Sequence, residues 1–199
     1  MQKYTSKNTS INTAKLPAIY NMIDWDKALE LYPAHPRILD YGIGKPETVK
    51  LIENFLKERK IPLFPYDLYN LSHTTNRNTL CANYLINTFI CSNVLNVIDD
   101  DFTIQKIIDF AIKMSKGKFR IINSVELLPT YFFKIYEGDK SGIGKQTGKD
   151  QYQRNMRVKD YLTKFKWADN TLVYKGIITN PVGKLLLGGK INESKIFIC

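Results

Sequence analysis

Apolar residues recur along this 199-residue chain in two rhythms, and the rhythms separate helices from strands. Spacing by three and four puts Leu16, Ile19, Tyr20 and Ile23 on one helical face, with Thr13 placed to cap it. The same spacing joins Val49, Ile52, Phe55 and Leu56 in a helix over residues 46–59, whose last turn carries Lys57, Arg59 and Lys60 against the negative end of its dipole. Ile104, Ile107, Ile108, Ala111 and Ile112 form the clearest stripe, in a helix opened by Asp99, Asp100 and Asp101 and ended by Gly117. Val158, Tyr161, Leu162 and Phe165 mark a later helix, and residues 76–83 a short one.

Continuous apolar runs predict strands at 37–41, 61–67, 85–91, 130–136 and 171–178, with a further one at 119–122. Residues 137–151 read as a polar, glycine-rich loop, and the first dozen residues as a flexible start. Alternation of strands and helices predicts one α/β domain over 1–199 with a largely parallel sheet.

The chemistry gathers at the end of the first strand, Leu39-Asp40-Tyr41-Gly42-Ile43-Gly44-Lys45, where the chain runs through a Gly-x-Gly turn into a helix start. Gly42 and Gly44 allow a tight turn and close approach of a ligand, and Pro46 and Glu47 suit a first helical turn. A dinucleotide fingerprint needs a third glycine where Glu47 stands, and a carboxylate is a poor neighbour for pyrophosphate. A ligand with positive charge and no phosphate fits better, and S-adenosylmethionine has both properties.

The run LDYGIGK resembles the first motif of class I S-adenosylmethionine-dependent methyltransferases. Asp67 closes the next predicted strand at the spacing of the family's ribose-binding carboxylate, and the run CSNVL at 91–95 is similar to the motif after the family's fourth strand. The wording NTAKLPAIYNMIDW, CSNVLNVI and IYEGDKSGIGKQTG looks most like methyltransferase-like proteins of bacteriophages. The resemblance implies a Rossmann-like sheet, and too few residues separate Asp67 from the next strand for the family's third strand and its helices. It also implies S-adenosylmethionine as cofactor, bound by Asp40, Tyr41, Gly42, Gly44, Lys45, Asp67, Leu68, Ser92 and Asn93. Ser92, Asn93, Glu137 and Asp139 are then the candidate catalytic or acceptor-orienting residues. Ser92-Asn93-Val94-Leu95 stands where base-amine methyltransferases carry Asn/Asp-Pro-Pro-Tyr, which disfavours that acceptor.

Charge adds a partner class. A formal net charge of +10 and a pI near 9.4 suit a polyanion, although a bias toward Lys in an AT-rich genome gives the same surplus. Lys145, Lys149, Tyr152 and Arg154 interleave cations with an aromatic ring, as a strand-tracking acceptor surface does. A host protein is the other candidate partner. The segment 139–146 imitates a phosphate loop but has Asp139 for its glycine and Gln146 for its hydroxyl. Cys81, Cys91 and Cys199 lack metal or disulfide spacing, and Cys91 reads as a core residue. His73 reads as a surface residue or as a neighbour of the adenine, and His35 is too distant to pair with it.

With no apolar run of about 18 residues, the chain is expected in the cytoplasm, the host's if a phage encodes it. Three functions stay open: methyl transfer, transfer of another group of the same cofactor, or a non-catalytic protein that keeps the fold and occupies a host factor or nucleic acid.

Overall fold

The computed structural model describes residues 15–32, 36–82, 86–115, 129–148 and 151–191. Four parallel strands make up one side of a six-stranded sheet: β1 (Ile38–Tyr41), β2 (Leu63–Tyr66), β3 (Thr88–Ser92) and β4 (Thr130–Lys134). With β7 (Leu172–Tyr174) and β8 (Ile177–Thr179) the order is β2-β1-β3-β4-β8-β7, where β8 runs antiparallel to β4 and β7 antiparallel to β8.

Period two explains why the central strands are apolar throughout: both faces are covered. On one face Ile38, Ile90, Phe132 and Ile177 pack against α1 (Ala18–Met22), α2 (Trp25–Leu31), α3 (Pro46–Lys57) and α7 (Pro181–Leu186). On the other, Leu39, Phe89, Cys91, Phe133 and Ile178 pack against α5 (Asp101–Ser115) and α6 (Val158–Lys164). Cys91 is buried in that second layer.

Several elements differ from expectation for local reasons. The first amphipathic stretch is followed by a second helix outside those expected, started by Asp24, whose Oδ1 accepts from the Lys27 amide at 3.0 Å. Residues 171–178 hold two strands, since Lys175 (φ 49°) and Gly176 (φ 73°) form a two-residue turn of the type that matches hairpin twist. Within the expected loop and just past its end lies a polar ribbon of β5 (Lys145–Gly148) and β6 (Gln151–Gln153), and solvent on its faces removes any apolar alternation that would announce it. Gly117 and the strand expected at 119–122 lie outside the described residues, as do residues 1–14, Asn83, Leu85, Lys149, His35 and Cys199.

Between β2 and β3 the described residues hold one helix, α4 (His73–Cys81), and no strand. Its start is capped by Ser72, whose Oγ accepts from the Thr75 amide at 3.1 Å. The helix lies along β2, and Thr79 Oγ1 donates to the Pro65 carbonyl at 2.7 Å. The Pro62 and Tyr66 carbonyls accept from Ile38 and Gly42 on the β1 side, so the Pro65 carbonyl faces the sheet's outer edge.

Candidate functional site

Parallel strands deliver their following loops to one edge of the sheet, so Asp67, the glycine turn, Ser92-Asn93 and residues 135–140 stand in a row there. The chain leaves β1 for β2 on one side and reaches β3 on the other, the strand-order reversal beside which open α/β sheets bind their ligands.

The two glycines of the turn do different work. Gly42 (φ +78°) donates to the Tyr66 carbonyl at 2.7 Å, and a Cβ there would stand 2.4 Å from Val94 Cγ2. Gly44 (φ +93°) has open space instead, the nearest atom to such a Cβ being Thr48 Oγ1 at 4.0 Å. Both need a left-handed backbone, but only Gly44 leaves room for a ligand to approach.

Asp67 binds the edge together from a buried position. Its Oδ2 accepts from the Gly44 amide at 2.9 Å, and its Oδ1 accepts from the Tyr69 amide at 3.0 Å and from the Asn70 amide and Nδ2, both at 2.9 Å. Asn76 on α4 grips the same residue's backbone at both ends, accepting from its amide at 3.0 Å and donating to its carbonyl at 2.8 Å. The next two residues, Leu68 and Tyr69, are exposed. Lys45 precedes α3 and is half-buried.

Asp40 reaches away from the turn: Tyr20 Oη on α1 donates to its Oδ2 at 2.7 Å. Burial, reinforced by the Asp67 charge and opposed by the tyrosine hydrogen bond, pushes the Asp40 carboxyl up to about 7. Burial and the Asp40 charge likewise push the Tyr20 hydroxyl up. Tyr41 points to the opposite face and stacks on Tyr66, with ring centroids 4.7 Å apart.

At the end of β3, Ser92 is half-buried and Asn93 exposed, with φ 58° and its amide donating to the Lys134 carbonyl at 2.8 Å. Glu137 follows β4. Its Oε1 accepts from the Val158 amide at the start of α6 (2.8 Å) and its Oε2 meets Lys140 Nζ at 3.1 Å, contacts that hold it below the usual carboxylate range. The exposed Asp139 is pushed down to about 2, chiefly by hydrogen bonds from Ser141 and then by Lys145 Nζ at 3.1 Å. Carboxylates held this low are poor proton acceptors near neutrality, which favours an orienting role over a basic one.

The expected acceptor surface is not one surface. Lys145 is exposed, but Arg154 turns inward and is buried, which corrects its placement on a solvent-facing strip. Its guanidinium donates to Asp101 Oδ1 at 2.7 Å and to the carbonyls of Ile98 (3.0 Å) and Asp99 (2.8 Å), while its amide donates to the Asn96 carbonyl at 2.6 Å. Arg154 thus fastens the ribbon to the segment joining β3 to α5. Tyr152 is half-buried against the ribbon's own loop, where a Cβ on Gly144 would stand 1.6 Å from its Oη. His73 is exposed at the first position of α4.

Sequence reasoning missed a cavity of about 340 Å³ between the loop after β4 and the β7–β8 turn, lined among others by Lys134, Tyr136, Lys140 and Lys175. Lys134, Tyr136 and Lys175 gave no motif because they flank strand ends far apart in the chain, and only the antiparallel pairing of β8 with β4 brings them together. Comparison of the chain with models of protein families, with curated proteins and with solved structures gives no match to any of them.

Proposed function

We propose that this chain is an S-adenosylmethionine-dependent methyltransferase built on a Rossmann-like class I sheet with a shortened third-strand region. The observation that carries the proposal is the glycine turn at the strand-order reversal, open at Gly44 and bonded to an acid at the end of the adjacent strand. These residues fit the cofactor. The open approach over Gly44 supports a place for its methionine portion, and Asp67 Oδ2, with one donor on it, has lone-pair capacity for a ribose hydroxyl. Asp67 Oδ1, with three donors, is filled, so a second ribose bond requires the turn at residues 68–70 to open.

The sulfonium supplies an already activated methyl group, and the protein's share is positioning and exclusion of water. Ser92 and Asn93 line the crevice from β3, and Glu137 and Asp139 orient an acceptor from beyond β4. Aminocarboxypropyl transfer from the same cofactor is separated by product analysis. A non-catalytic role is favoured by one observation, the lack of a strand between β2 and β3 among the described residues.

Calorimetric titration with S-adenosylmethionine and S-adenosylhomocysteine tests the proposal. The wild type is expected to bind, and Gly44→Val to lose binding by filling the approach. No binding by the wild type, or equal binding by both proteins, overturns it.

A further inference from the structure

The cavity at the other end of the same edge has a character of its own. Three lysines and one glutamate reach it: Lys134 at the end of β4, Lys140 in the following loop, Lys175 in the β7–β8 turn, and Glu137. Both oxygens of Glu137 are already engaged, by the Val158 amide and by Lys140, so its charge is compensated within the wall. Lys175 is fixed by donating to the Leu187 carbonyl at 2.8 Å, which leaves two of its N–H donors for other partners. Lys134 is half-buried and lines the cavity from the end of β4. Tyr136 adds a ring that is 59% exposed beside these cations.

The volume, about 340 Å³, falls at the small end of ligand cavities, which run from about 300 to 1,000 Å³. The net excess of two positive charges matches a phosphate monoester, which carries about −1.5 to −2 at neutral pH. A sulfonium cofactor is repelled here, whereas the glycine-turn end carries the carboxylates Asp40 and Asp67. The exposed ring gives a stacking face for a base beside the phosphate.

We propose that this cavity binds a phosphate monoester joined to a flat ring: a nucleoside monophosphate, or the phosphorylated end of an oligonucleotide. The site goes beyond the cofactor proposal and does not rest on it, because it is built from different strands and the opposite charge.

The test is calorimetric titration at low salt with UMP, uridine, and a short oligouridylate with and without a 5′ phosphate. Uracil probes avoid any affinity of the glycine turn for adenine. UMP is expected to bind, uridine not, and affinity should fall as salt is raised. Lys134→Gln with Lys175→Gln should weaken UMP at least about tenfold with an unchanged circular dichroism spectrum. Tyr136→Ala should weaken UMP while leaving inorganic phosphate unaffected. Gly44→Ala should bind UMP as the wild type does, which separates failure here from failure of the cofactor site. Binding of only the phosphorylated oligonucleotide keeps the site and assigns a strand end as its ligand. Equal binding of UMP and uridine, an unchanged affinity in the folded double lysine variant, or loss of UMP binding in Gly44→Ala overturns the proposal.

Discussion

The two ends of the sheet's loop-bearing edge are built on opposite plans. At the β1–β2 end, buried carboxylates are first of all partners of the protein itself: Asp67 ties the Gly44 amide to the turn after β2, and Asp40 holds Tyr20. At the β4–β8 end, Lys134 and Lys175 surround a cavity, and Glu137 is already neutralised. Groups that bond inward set the shape of an edge, and groups left facing open space set what it attracts. Substitutions at the first end should therefore register first in stability, and those at the second in binding alone.

The sharpest break of this contrast lies within the glycine turn. Gly42→Ala combines left-handed strain of about 1–2 kcal/mol with a clash against Val94, for a loss of about 3 kcal/mol in urea unfolding. Gly44→Ala meets only the strain, about 1–2 kcal/mol. Equal losses at the two positions would refute the division of labour between them. Asp67→Ala leaves the Gly44, Tyr69 and Asn70 amides without their acceptor and should cost about 2–3 kcal/mol, with cofactor binding weakened at least about tenfold. An unchanged unfolding midpoint would remove Asp67 from the structural role.

Asp40 gives a smaller effect with a defined sign. Its folded carboxyl titrates near 7, above its free value of 3.8, so the folded state holds the proton more tightly. The contribution is complete below about pH 4, falls as pH rises, and is gone above about pH 7. Asp40→Asn should flatten that part of the stability profile between about pH 4 and pH 7, and an undiminished slope would assign it to another group. Smallest of all, Lys134→Gln should change stability by less than about 0.5 kcal/mol. A larger loss would make Lys134 part of the scaffold and erase the contrast.

Sequence patterns carried the first end better than the second. Apolar runs and the Gly-x-Gly turn located β1, α3, β3 and α5, because burial on both faces writes itself into composition. The separate duties of Gly42 and Gly44 were not legible, since they depend on Val94, which arrives from another strand's loop. Arg154 looked like its exposed basic neighbours, as nothing local reveals a buried partner at Asp101. The ribbon of β5 and β6 was hidden by its polarity, and the basic cavity by the distance in sequence between β4 and the β7–β8 turn.

The way the sheet stops at β2 bears on how the molecule behaves in a crowd. An outer strand with free amides and carbonyls is a template on which a second chain can add. Here Pro65 has no amide hydrogen to offer on that side, and its outward carbonyl is already taken by Thr79 from α4. The helix packed along β2 thus blunts this border at its middle, where Pro65 offers a strand neither an amide nor a free carbonyl and so opposes strand exchange and fibre growth.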